Sequence, residues 1–254
     1  MIFTRAIVSP PHEKFIHGIT SVSLGKPDYS KGLQQHENYV NILKELGLKV
    51  SVLSPDENYP DSTFVEDTAV LTQSCAIITN PGAESRRGEI KAIERMLQGE
   101  FSQIEKIKFP GTLEGGDILE VGNHFYIGVS ERTNELGAKQ FIEILRKIGM
   151  TGSIIYVNKG LHLKSAVSYI GNNYMLIDPD AIDSKCFNGF SIITTEPGEN
   201  YSANSISVNG SIILAEGFPG TRSRVEESGF SVKTVNVSEF RKLDGGLSCL
   251  SLRY

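Results

Sequence analysis

SISVNGSIILAEG (205–217) is two β-rich runs joined by Asn209-Gly210. Both joining residues tolerate the positive φ that a two-residue hairpin turn requires. The same shape recurs upstream. DILEVGNHFYIGVS (117–130) turns at Gly122-Asn123, AVSYIGNNYMLID (166–178) at Gly171-Asn172-Asn173, and AVLTQSCAIITN (69–80) at the polar break Gln73-Ser74. Helical patterns follow several of these hairpins. RRGEIKAIERMLQGEF (86–101) and ELGAKQFIEILRKIG (135–149) place apolar residues three to four apart, and TRSRVEESGF (221–230) reads as a shorter helix ending at Gly229. After each helix comes another β-like run: IEKIKF, GSIIYV and VKTVNV. A fifth copy assembles only across the termini, from LSCLSLRY (247–254), MIFTRAIV (1–8), the helix KGLQQHENYVNILKELG (31–47) and LKVSVL after it. Units that cannot bury their faces alone must pack on their neighbours, and a closed ring leaves no exposed sheet edge. The expectation is an α/β ring of five hairpin–helix–strand units in one domain, residues 1–254, with the first and last strands adjacent.

Composition narrows the function classes. The formal net charge is −5 with no block of Lys or Arg, which argues against the basic face that nucleic-acid binding needs. No apolar stretch reaches the length of a membrane span, and the N-terminus carries no signal-peptide pattern. The expected setting is the cytoplasm. Cys75, Cys186 and Cys249 are few, odd in number and far apart, so neither a disulfide framework nor a structural zinc site is expected.

What precedes each hairpin carries the chemistry. The lead-ins are FVED (64–67), LEGGD (113–117), GLHLKS (160–165), YSANS (201–205) and DGGLSC (244–249). Rotation about a ring axis would bring them to one end, so that Glu66, Asp67, Glu114, Asp117, His162, Asn204 and Cys249 converge on a central channel. Taken alone, a Cys is more often a small buried residue than a nucleophile, and Cys75 and Cys186 take that reading. Cys249 differs because it follows paired glycines and shares its repeat position with His162 and Glu114. A converging Cys–His pair supplies a nucleophile and a proton donor, with Glu114 orienting the imidazole.

Asp61, Glu66 and Asp67 cluster in PDSTFVED, and no Lys or Arg lies between positions 50 and 85. Buried carboxylates need partners, so a cationic ligand is expected for them. A planar guanidinium fits paired carboxylates through bidentate hydrogen bonds. A thiolate adding to its central carbon, with His162 protonating the departing amine, would give a covalent thiouronium that water hydrolyses. Arg86 and Arg132 sit at loop-to-helix junctions on the expected mouth side, where they suit an α-carboxylate. Arg87 is an alternative to Arg86.

With these residues assembled, the chain resembles the dimethylarginine dimethylaminohydrolases of the arginine-deiminase/amidinotransferase superfamily essentially from end to end. The resemblance lies in PDSTFVED, ITNPGAESRRGE, GTLEGGDILEVGNHFYIG, SERTN, GLHLKS and DGGLSCLSLR. It implies a five-bladed α/β propeller, the pentein fold, and hydrolysis of Nω-methylated arginines to citrulline plus methylamine or dimethylamine, with neither metal nor organic cofactor. It implies Cys249 as nucleophile, His162 as general acid/base and Glu114 as its acidic neighbour. Asp61, Glu66 and Asp67 become substrate contacts, and Arg86 and Arg132 α-amino-acid contacts. Only the resemblance points to Ile19, on a lid within HGITSVSLGKPDY, and to Leu243 near the α-amino group. It is also compatible with a homodimer. The readings left open are the same chemistry on arginine or citrulline, an amidinotransferase, and a non-catalytic pentein that binds a macromolecule.

Overall fold

The computed structural model describes residues 2–254. Its fifteen strands form five three-stranded sheets. In each, a hairpin of two antiparallel strands is followed by a third strand parallel to the second. The first sheet joins β1 (Arg5–Val8) and β2 (Lys49–Val52) to β15 (Leu252–Arg253), so the chain's last strand closes its first sheet. The others are β3–β5 (Ala69–Leu71, Ala76–Ile78, Ile104–Lys106), β6–β8 (Ile118–Val121, His124–Val129, Thr151–Tyr156), β9–β11 (Val167–Gly171, Tyr174–Ile177, Ser191–Thr194) and β12–β14 (Ile206–Val208, Ser211–Ala215, Ser231–Val235). The first strands of the units neighbour one another: β15 lies beside β3, β6 beside β9, and β9 beside β12. The expected five-unit ring is the architecture found.

Local chemistry explains the units. Asn209 and Gly210 both take positive φ, 48° and 90°, and set the Val208–Ser211 pairing. The Asn209 side chain also bonds the backbone of Phe3 and the Leu46 carbonyl, tying the fifth unit to the first. A parallel return needs a crossover, and four units supply it with a helix: α1 (Tyr29–Glu45), α2 (Ile90–Leu97), α3 (Glu135–Lys147) and α4 (Pro219–Glu227). Asp28 and Asn134 cap α1 and α3 by accepting from Lys31 N and Gly137 N. The β10–β11 crossover uses only a 3-10 turn at Ser184–Phe187. Before β15 the chain adds a short helix, α5 (Ser238–Arg241), that the periodicity does not reveal.

One expected boundary moves. The 86–101 pattern becomes helical only from Ile90, because Arg86 belongs to a separate turn at Glu84–Arg86 and Gly88 is pressed against Tyr59. That early break turns Arg86 inward.

Each unit's lead-in is a single 3-10 turn. These turns span Val65–Thr68, Gly115–Asp117, Leu163–Ser165, Asn200–Ala203 and Ser248–Leu250. They pack on one another at one end of the ring. Beneath them the apolar side chains divide into five clusters rather than one core. Phe125 on β7 is fully buried in one of these, edge-on to Phe141 at 5.7 Å. Phe125→Ala is expected to cost about 3–5 kcal/mol in urea unfolding. A loss below about 1 kcal/mol would mean the cluster collapses around the gap.

Candidate active site

The turn that carries Cys249 is held from three sides. Ser248 donates its hydroxyl to Glu66 at 2.7 Å and its backbone N–H to Asn204 Oδ1 at 3.0 Å, while Asn204 Nδ2 donates to Ser248 Oγ and the Lys164 carbonyl. Gly246 N–H points to the Cys249 sulfur at 3.4 Å. A Cβ on Gly246 would lie 2.4 Å from the Asn204 side chain, so the glycine of DGGLSC is there for close packing. Cys249 itself is 8% exposed. Burial, reinforced by the negative charges of Glu66 and Asp67, pushes its thiol up to about 12.

His162 stands just before the next turn and donates Nε2–H to Glu114 at 2.8 Å. Its ring lies against Gly116, where a Cβ would fall 2.6 Å from Nδ1. Burial opposes a charge on this imidazole, but Asp67, Asp117 and Glu114 outweigh it and lift the ring to about 9. Asp67 moves the other way. Despite burial, His162 and Arg86 hold it down to about 2. Glu114 is lowered as well, chiefly by its bond from His162, against the effect of burial. At neutral pH the resting pair is therefore a neutral thiol and an imidazolium.

One small cavity gathers Cys249, His162, Asp67, Asp61, Arg86, Arg132, Ile19 and Leu243. At about 20 Å³ it has room for little more than a water. It is covered by the loop after Gly18. Ile19 N–H donates to Asp61, Ser21 N–H to Asp244, and the Thr20 hydroxyl to the Lys242 carbonyl at 2.9 Å. Those bonds must break for a larger ligand to enter. A second cavity of about 540 Å³ meets Cys249 and His162 from the other side, beneath Val22 and Leu24 of the same loop.

The carboxylates have partners that the sequence does not show. The carboxylates do find cations within the chain, since Arg86 Nη1 reaches Asp67 at 2.7 Å and Lys164 pairs with Glu66. Arg86 lies one position past the stretch 50–85 and Lys164 lies 98 positions from Glu66, so a count over that stretch finds neither. Glu66 also does not line the small cavity. It turns toward Lys164 and Ser248, with Arg253 Nη2 at 3.7 Å, and borders a cavity of about 420 Å³ on its other side. Of the two adjacent arginines, Arg86 is buried at the cavity, while Arg87 bonds the Pro81 carbonyl and Glu84 outside it. Arg132 reaches in with Nη1 3.4 Å from Glu114.

The sequence reading passed over Lys164, Ser248, Leu161 and Asp244. All four stand within GLHLKS and DGGLSC, and Asp244 opens the second with a positive φ of 58°. Among the described residues, Asp67, Glu114 and His162 bring one potential metal-ligand atom each within 4.8 Å of one another. In this set the imidazole Nε2 is already committed as a donor to Glu114.

The family model described as N,N dimethylarginine dimethylhydrolase, eukaryotic, matches residues 26–196. The N(G),N(G)-dimethylarginine dimethylaminohydrolase of Pseudomonas aeruginosa is 46% identical over 254 residues, all of both chains. This chain belongs to the dimethylarginine dimethylaminohydrolase family. Solved structures agree. The C249S mutant of the Pseudomonas aeruginosa dimethylarginine dimethylaminohydrolase complexed with citrulline matches with a TM-score of 0.98 and 45% identity over 100% of both chains. A dimethylarginine dimethylaminohydrolase H162G adduct with S-methyl-L-thiocitrulline matches at 0.97 and 45%, again over 100% of both. The numbers altered in those two proteins are those of the cysteine and histidine that share the cavity in this member of the dimethylarginine dimethylaminohydrolase family.

The electrostatics give a direct expectation. With the cavity empty, iodoacetamide should alkylate Cys249 slowly at pH 7, with a rate that still climbs beyond pH 9, followed by peptide mapping to separate it from the exposed Cys186. A plateau below pH 8 would mean a resting thiolate.

Proposed function

We propose that this chain hydrolyses Nω-methylated L-arginine to L-citrulline and methylamine or dimethylamine through a covalent adduct on Cys249. One observation carries the reading. A buried thiol and a buried imidazolium face the same cavity beside a carboxylate held down to about 2.

A guanidinium cation beside Asp67 offsets the negative charges that hold the thiol proton, so substrate binding favours loss of that proton to solvent and leaves the thiolate. The sulfur then adds to the guanidinium carbon. His162 passes its proton to the methylated nitrogen, the C–N bond breaks, and the amine leaves with a thiouronium on Cys249. His162, now neutral, takes a proton from water as the oxygen attacks. The C–S bond breaks, the remaining hydroxyl proton passes to the sulfur, and citrulline departs with the thiol restored. Glu114 keeps the imidazole oriented throughout, Arg132 and Arg86 suit the α-carboxylate, and Asp61 with the backbone at Ile19 and Leu243 suits the α-amino end.

The reading extends to residues 1–254 acting as one domain on a small molecule, and to the homodimer that the resemblance allows. Among the described residues no helix is long and apolar enough to cross a membrane. Three free cysteines suit a reducing compartment, and the cytoplasm is the proposed setting.

A citrulline-release assay with dimethylarginine, monomethylarginine and arginine tests the reading. Turnover of the methylated substrates should vanish in Cys249→Ser, and His162→Gly should lose it while still forming the adduct from a substrate with a thiolate leaving group. Wild-type silence on every methylated substrate would sink the proposal. Because the imidazolium is the acid, kcat should fall as pH rises through the value of His162 in the substrate complex, which a cation beside Asp67 sets below the empty site's value of about 9. A kcat that keeps rising past pH 10 would remove His162 as the acid.

A further inference from the structure

Arg86 meets the small cavity, yet little of its guanidinium is free. Nε donates to both oxygens of Glu89, at 3.1 and 3.2 Å, and Nη2 donates to Glu89 Oε2 at 2.9 Å. The other Nη2 hydrogen goes to the Phe64 carbonyl at 3.0 Å. Nη1 gives one hydrogen to Asp67 at 2.7 Å. Of five N–H donors, a single Nη1 hydrogen is left for a ligand. Glu89 lies at the head of α2, is buried, and is absent from the cavity wall.

We propose that Glu89 is a positioning residue: its fork on Nε and Nη2 fixes which edge of Arg86 faces the cavity and so sets the affinity for a substrate carrying an α-carboxylate. Two features of the site support it. The fork holds the edge that a carboxylate would otherwise take bidentately, leaving Nη1 as the only presented corner. It also prevents Arg86 from turning that edge onto Asp67, whose Oδ2 accepts one bond from Nη1 and whose Oδ1 accepts one from Gly116 N–H, leaving a lone pair on each. Arg132 makes one long bond, to Glu114, so the paired contribution to an α-carboxylate depends on Arg86 being held where it is. Burial pushes the Glu89 carboxyl up to about 7 even with Arg86 beside it, so the fork carries its full charge only above that value and the kinetics are read at about pH 8 or higher.

The inference rests on the proposed hydrolase reading, and the test separates the two. Methylamine release, the product common to both, is measured for wild type, Glu89→Gln and Glu89→Asp with Nω-methyl-L-arginine and with its decarboxylated analogue, Nω-methylagmatine. Wild-type turnover of methylarginine tests the hydrolase reading alone. Given that turnover, Glu89→Gln should raise KM for methylarginine by about ten- to a hundredfold, the range for one charge-assisted hydrogen bond. Its kcat should stay within about threefold, because the lost contact is made equally in ground and transition states. The analogue, having no carboxylate, should lose far less, so wild-type discrimination between the two substrates should shrink about tenfold or more. Glu89→Asp keeps the charge but withdraws it by one methylene, and should fall between; it also carries the test if the Gln variant does not fold. Equal losses on both substrates, or an unchanged KM for methylarginine, would overturn the assignment.

Discussion

Five polar turns meet at one end of a closed ring, and the charges they bring must be met there by charges of the other sign. Water cannot screen them, since Glu66, Asp67, Glu114, Asp117, Arg86 and His162 are all buried. An unpaired ion at such depth costs several kcal/mol, on the order of the whole stability of a domain. Asp67–Arg86 pairs within one unit, while Glu114–His162 and Glu66–Lys164 join different units. The last two form only when those units pack with their turns together.

The same arrangement sets the chemistry. An excess of carboxylates around one imidazole keeps it protonated, and burial, with the charges of Glu66 and Asp67, keeps the neighbouring thiol from ionising. The site at rest holds its acid ready and its nucleophile unspent. In the proposed mechanism a cationic ligand beside Asp67 shifts the balance for sulfur toward the thiolate, while Glu114 and Asp117 still hold the imidazole proton. Selectivity for a guanidinium thus follows from the electrostatics as well as from shape, because a neutral ligand leaves the thiol protonated.

The ring was legible because its signal repeats. Asn209-Gly210 and the Gly-Asn turns mark hairpins by backbone preference alone, and helix periodicity places the crossovers. The convergence of Cys249, His162, Glu114 and Asp67 follows from the repeat. What sequence hid depended on side-chain direction within a 3-10 turn. Glu66 and Asp67 are neighbours, yet one faces the catalytic cavity and the other turns to Lys164. Nor could a count of nearby basic residues anticipate Arg86, which the early break before α2 folds back onto Asp67. Glu89 stood in the quoted SRRGE, but only the buried fork gives it a reason to be there.

The account stands on one protonation state, that of His162 in the empty site. Labelling the imidazole with ¹³C or ¹⁵N and following its NMR signal against pH measures it directly. Titration near 9 in the wild type, dropping when Glu114 is replaced by Gln, is the predicted result. A ring that titrates near 6.5, the value for a free histidine, would mean that the carboxylates do not hold the proton. The mechanism built on a resting imidazolium would then be wrong.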